Sequence, residues 1–255
     1  LEGEPVDRPA CICPGGMMNM ITTDLMDAVK VYLPEAHNDA RQMAELAKAV
    51  YEKGCFENYG VPFCMTVEAE KMGAKVDMGT KIYEPHVIEY VMDSVSDYGK
   101  LVPVDVTKGR AKVVTDAIRI LKEETSEVPI VGNLTGPIST ASSLMEPVIF
   151  YKELRKKNKD AHAYMEFVTD QLIAFGKAQI EAGADVIAIS DPSGTGEILG
   201  PKYFKEFAVT YLNKLLEGIQ TAGLGTIVHI CGHMGSVYNE INEVKSSALS
   251  FDSVV

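Results

Sequence analysis

His229 and Cys231 lie two residues apart in the stretch Thr226-Ile227-Val228-His229-Ile230-Cys231-Gly232-His233-Met234. Residues 226–231 read as a short buried strand, because β-branched residues dominate and Gly225 and Gly232 bracket them. Side chains in a strand alternate faces, so Val228 and Ile230 point one way and Ile227, His229 and Cys231 the other. The imidazole and the thiol then sit side by side where the strand gives way to a glycine turn. Both are ligand types that zinc favours, and a zinc site normally needs at least three protein ligands. The plainer reading is a core histidine bonded to backbone beside an inert cysteine.

The rest of the chain alternates strands and helices that could position this pair. Strands are predicted at Pro9–Cys13, Glu57–Phe63, Val128–Leu134, Asp185–Ser190, Thr226–Cys231 and Ala248–Phe251. Helices are predicted over Asn38–Gly54 with Asn38 as cap, Pro85–Val95, Thr107–Glu124, Ser142–Lys156, Asp160–Ala182, Pro201–Ala222 and Ser236–Val244, with a small hairpin around Ala74–Tyr83. Buried strands alternating with helices imply a parallel sheet: an open doubly wound sheet or, as favoured here, an α/β barrel whose last units lie outside this sequence. In both, ligands bind beyond the carboxyl ends of the strands. The candidates there are Asn133 and Thr135, Ser190 and Asp191, His229 and Cys231, and Asp252. Asn133, Ser190 and Asp191 would bind substrate; Asp191, just before Pro192, also suits a turn or helix cap. Asp252 would ligate a metal or orient His229, with a solvated loop aspartate as the alternative.

Other residue patterns carry weaker signals. Met17, Met18 and Met20 could line an apolar cofactor face, or fill gaps as methionine often does. Ser193-Gly194-Thr195-Gly196 resembles a phosphate loop but lacks the lysine of one. His233 lies just past the turn. Cys11 and Cys13 share a strand face and read as packing. His37, His86 and His162 fall at predicted helix starts, where they would cap or face solvent.

Composition bounds the partners. A chain of 255 residues with 46% hydrophobic content can bury one sizeable core, and a single domain over residues 1–255 is expected. The net charge of −12 argues against nucleic acid and anionic membrane surfaces, which attract basic patches. Five scattered cysteines, an odd number, suit a reducing cytoplasm better than a disulfide framework. No apolar run approaches the roughly 18 residues of a membrane helix. A soluble cytoplasmic protein is expected.

Longer motifs point to a family. They are Gly3-Glu4-Pro5-Val6-Asp7-Arg8, Pro34-Glu35-Ala36-His37, Met72-Gly73, Met78-Gly79-Thr80-Lys81, and Val128-Pro129-Ile130-Val131-Gly132 with Gly136-Pro137. With them go Glu181-Ala182-Gly183-Ala184-Asp185-Val186-Ile187-Ala188-Ile189, Asp191-Pro192 and His229-Ile230-Cys231-Gly232. Together they resemble the uroporphyrinogen decarboxylase superfamily, and within it the branch of cobalamin-dependent methyltransferases. The resemblance implies a (β/α)8 TIM barrel with Zn2+ at its mouth, held by a His-x-Cys pair matched by His229 and Cys231 and by a later cysteine. That cysteine, the last strands and the first helix of the family would lie outside Leu1–Val255, so a barrel incomplete at both ends is expected. It also implies methyl transfer between a corrinoid (methylcobalamin or a methylated corrinoid protein) and a small thiol such as coenzyme M. Zinc would favour the thiolate, which attacks the methyl carbon in line and leaves cobalt(I) and a thioether. A metal-free decarboxylase-like lyase is the first alternative. It is disfavoured because the arginine-rich segment of that branch is replaced by Cys13-Pro14-Gly15-Gly16-Met17. A non-catalytic barrel that binds a corrinoid protein is the second.

Overall fold

The computed structural model of the chain describes residues 5–13, 18–19, 21–124, 127–221 and 223–253. The first half holds α1 (Thr23–Val29), α2 (Ala40–Glu52), β1 (Tyr59–Val61), α3 (Val67–Lys71), the hairpin strands β2 (Lys75–Asp77) and β3 (His86–Glu89), and α4 (Gly109–Glu124). There follow β4 (Ile130–Thr135), α5 (Pro137–Leu144), α6 (Pro147–Lys156), α7 (Asn158–Ala182), β5 (Val186–Ser190), α8 (Gly196–Tyr203) and α9 (Thr210–Ile219). The described part closes with β6 (Gly225–His233), α10 (Tyr238–Ile241) and β7 (Ala248–Ser253).

Five strands form one parallel sheet in the order β1-β4-β5-β6-β7. The order never reverses, so the sheet has no switch point of the doubly wound kind. Its two faces differ sharply. Ile130 and Leu134 of β4, Ile187 and Ile189 of β5, and Val228 and Ile230 of β6 belong to the main core, against the helices. The opposite face holds a separate small cluster of Val131, Ala188 and Ile227, with Ile12, Val186 and Ala248 packed against it. One helix-covered face and one inward face are what a barrel wall requires, and the structure has the α/β architecture of part of a TIM barrel. The inward face opens at the amino ends of the strands on a cavity of about 530 Å3 lined by Ala10, Ile12, Val131, Val186 and Ile227 among others.

Several predicted elements differ, each for a local reason. Pro9–Cys13 is not a ladder strand. Its Cys11 N–H donates to Glu57 Oε2 (2.7 Å) and its Cys13 N–H to Asn58 Oδ1 (2.9 Å), so side chains take the amides a ladder would use. The predicted helix over residues 85–95 is instead β3, paired antiparallel with β2, followed by a 3-10 turn at Val95–Lys100. Val87, Ile88 and Val91 are β-branched, which favours the strand. The helix predicted over 142–156 is broken, because Pro147 opens α6 and Glu146 caps it by accepting from Ile149 N–H (2.8 Å). α2 is capped by Asp39 rather than Asn38, and α7 starts at Asn158, ahead of Asp160. The helix predicted from Pro201 starts earlier, capped by Thr195. It is interrupted at Gly200 (φ 67°) and passes through a π-turn at Phe204–Val209.

Candidate active site and metal centre

The alternation read from sequence puts residues 131, 133 and 135 on the inward face, with 186, 188 and 190 beside them and 227, 229 and 231 beyond. The ladders align these in rows. Asn133 pairs with Ala188, which pairs with Ile227, which pairs with Ala248; one level higher, Thr135, Ser190, His229 and Ser250 follow one another across β4 to β7. Toward the amino ends the face is apolar. Toward the carboxyl ends every residue of that upper row is polar, and the mouth of the sheet becomes a hydrogen-bonding surface.

His229 is buried in that row. Its Nδ1 lies 2.9 Å from Ser250 Oγ and its Nε2 lies 3.2 Å from Cys231 Sγ. Burial lowers the pKa of His229, against the nearby Asp252 carboxylate, which raises it; the imidazole is therefore held toward its neutral form. Burial raises the pKa of the half-buried Cys231 thiol, and Asp252 raises it further. Past Cys231 the ladder to β7 becomes irregular between Ile230 and His233, at Gly232, whose φ of 82° suits glycine. Asp252 Oδ1 accepts from Gly232 N–H at 2.7 Å and so ties the two strand ends together.

The donor set fits a soft metal ion in part. His229 Nε2 and Cys231 Sγ lie 3.2 Å apart, and both are donor types that zinc takes. Among the described residues, however, no group of three or more His, Cys, Asp or Glu side chains is placed to hold a metal ion. Asp252, expected as a further ligand, has its carboxylate turned to the Gly232 amide.

The remaining candidates separate. Asn133 and Ser190 lie on the inward face, and Asn133 Oδ1 and Ser190 Oγ are buried with no hydrogen-bond partner among the described residues. Asp191 is fully buried off that face and accepts from Ser139 N–H (2.7 Å) and Ile138 N–H (3.3 Å), capping the first turn of α5. A Cβ at Gly136 would lie 2.4 Å from Asp191 Cβ, so Gly136 makes the close approach possible. The Ser193–Gly196 segment is fastened from within: Ser193 N–H donates to Ser139 Oγ, Tyr151 OH donates to Ser193 O, and Thr195 caps α8. Met17 lies outside the described residues. His233 is exposed, 4.0 Å from Glu197. His37 is buried rather than capping, while His162 stacks on Phe207 at 4.5 Å and meets Tyr211 OH at 2.8 Å.

Two polar residues at the mouth were not singled out from sequence. Ser250 had a signal, since alternation from Ala248 places it on the face of Asp252. Glu68 had none. It arrives from the short helix α3, accepts from Thr135 N–H (2.8 Å) and Thr135 Oγ1 (2.9 Å), and burial raises its pKa.

Comparison with known proteins gives this geometry a context. The chain is 33% identical over 256 residues to a methylcobamide:CoM methyltransferase MtbA of Methanosarcina acetivorans, covering 100% of this chain and 74% of that protein. It is 35% identical over 259 residues to a methylcobamide:CoM methyltransferase MtaA of Methanosarcina barkeri, with the same coverage. A uroporphyrinogen decarboxylase of Myxococcus xanthus is 29% identical over 168 residues, 64% of this chain and 47% of that one. A solved methyltransferase from Methanosarcina mazei superposes with a TM-score of 0.88 at 34% identity, covering 97% of this chain and 72% of its own. The family model described as uroporphyrinogen decarboxylase (URO-D) matches residues 1–255. With a parallel barrel wall and a whole-length match of this kind, the chain belongs to the uroporphyrinogen decarboxylase family.

Proposed function

We propose that this protein is a zinc-dependent methyltransferase that moves a methyl group between a corrinoid and a thiol such as coenzyme M. The observation that carries the reading is the His229 Nε2 to Cys231 Sγ approach of 3.2 Å at the carboxyl end of β6. It stands in a chain whose full length aligns with methylcobamide:CoM methyltransferases. A bound zinc ion would supply the positive charge that lowers the pKa of an incoming thiol, so that it attacks as thiolate near neutral pH.

The chain's own residues prepare for that charge. His229 is kept toward neutrality by burial and offers Nε2 as a donor. Cys231 is the costly partner. Burial and Asp252 both favour its thiol form, so holding it as a thiolate requires a compensating cation beside it. Asp252 brings negative charge to the same place and, in this reading, supports the metal from its position on the Gly232 amide. Asn133 and Ser190, with buried oxygens that lack partners among the described residues, line the inward face as the substrate-binding surface. The corrinoid, carried by a protein partner, is received at the mouth formed by the carboxyl ends of the strands.

Zinc content of the purified protein beside Cys231→Ala, followed by an assay of methylcobalamin with a thiol, tests the reading. About one zinc per chain, lost in the variant together with thioether formation, is the expected result. Well-folded wild type that takes up no zinc, or thiol methylation that survives loss of Cys231, would return the chain to a metal-free lyase or to corrinoid binding alone.

A further inference from the structure

We infer that Ser250 is the positioning residue of the metal centre: its hydroxyl, 2.9 Å from His229 Nδ1, orients the ring with Nε2 toward Cys231 and, as acceptor for an Nδ1–H, favours the tautomer whose Nε2 lone pair faces the sulfur. The inference rests on the zinc reading for its consequence, though not for its geometry.

An imidazole that ligates through Nε2 must carry its proton on Nδ1, and that proton needs an acceptor when the ring is buried. Ser250 Oγ stands 2.9 Å from Nδ1. The hydroxyl reaches that place through the ladder rather than by a flexible reach, because His229 and Ser250 are register partners on β6 and β7. Their pairing continues the regular run from Ile227 with Ala248, and the irregularity begins only beyond Ile230. Ser250 is thus held by the stiff part of the sheet, while Cys231 and Asp252 lie at the irregular end. With the ring pinned at Nδ1, its only other nitrogen is the one 3.2 Å from Cys231 Sγ. The opposite tautomer would direct an N–H at the sulfur and at the metal position, and no ligand bond could form there.

The nature of the group matters too. Asp252 already places a carboxylate at the same strand ends, where its Oδ1 accepts from Gly232 N–H at 2.7 Å. A neutral hydroxyl orients the imidazole without adding a second negative charge. A carboxylate in its place would raise the basicity of the ligand nitrogen and hold the metal more tightly.

The test uses the full chain and the variants Ser250→Ala, Ser250→Thr and Ser250→Asp, with zinc affinity read by competition against a chromophoric chelator. Expected is a loss of about 10- to 100-fold for Ser250→Ala, recovery in Ser250→Thr, and tightening in Ser250→Asp. In metal-free protein, nitrogen chemical shifts of His229 report the tautomer directly: Nδ1–H in wild type and Ser250→Thr, a shift toward Nε2–H in Ser250→Ala. An unchanged tautomer in Ser250→Ala, or a zinc affinity within about twofold of wild type, overturns the inference. If wild type takes no zinc, the methyltransferase reading fails, and the tautomer measurement still decides the role of Ser250.

Discussion

The two halves of the inward sheet face are built to opposite rules. Near the amino ends, Val131, Val186, Ala188, Ile227 and Ala248 make an apolar patch. At the row of Thr135, Ser190, His229 and Ser250, the same strands present only polar groups. The backbone is continuous through both, so side-chain identity alone converts an apolar wall into a polar one. The lower half gains from burial. The upper half costs stability, because Ser190 Oγ is desolvated with no hydrogen-bond partner among the described residues, as is Asn133 Oδ1 one level below it. On the proposed function, stability and chemistry are thereby separated along a single strand, as expected where a barrel places its site at one end.

That contrast can be broken in graded ways. The largest effect should come from the helix-covered face, where Ile189→Asp buries a charge with no partner and should cost about 4 kcal/mol or more, visible as failure to fold in chemical denaturation. Next is a pH effect outside the sheet. His37 is buried, and desolvation, with Arg110 nearby, holds its pKa at about 4 against an ordinary 6.5. As the pH falls through 6.5 the unfolded chain takes up the proton first, so stability is full above that value. It should decline by on the order of 3 kcal/mol down to pH 4 and then level off. Urea melts across this range should show the slope in wild type and lose it in His37→Gln.

Smaller effects sharpen the division between the halves. Ile227→Val, one level below His229, should cost about 1 kcal/mol in thermal or urea unfolding and leave zinc content untouched. Ser190→Ala should do the reverse, stabilising the fold by roughly 0.5–1 kcal/mol because an unsatisfied hydroxyl is removed. Steady-state kinetics should then show a raised KM for thiol or corrinoid. A Ser190→Ala variant that is destabilised and kinetically normal would assign the hydroxyl to packing.

Much of the arrangement was legible because β6 obeys one rule from Ile227 to Ile230. Alternation alone separates Val228 and Ile230 from His229 and Cys231, and the structure puts the first pair in the helix-side core. The parallel sheet followed from buried strands such as Val186–Ser190. What escaped sequence reading involved competition between local and distant groups. Residues 9–13 have strand composition, yet Glu57 and Asn58 side chains claim their amides. Residues 85–95 have mixed propensities, and the pairing partner Lys75–Asp77 decides. Glu68 reaches the mouth from a short helix between strands, and no spacing rule links it to Thr135. Asp191 illustrates a different ambiguity: its type and place suited substrate binding or a helix cap, and its contacts are those of a cap.

The irregular pairing between Ile230 and His233 has a mechanical consequence. If a metal is held by His229 and Cys231, as proposed, the two donors would follow a change in its coordination unequally. His229 is clamped by regular pairing on both sides, to Ser190 and to Ser250. Cys231 precedes a glycine with φ 82°, where the ladder has lost its register, and Asp252 rides on that glycine's amide. The site therefore has a fixed jaw and a sprung one, and amide exchange at Gly232 should be faster than at His229 and should slow when metal binds.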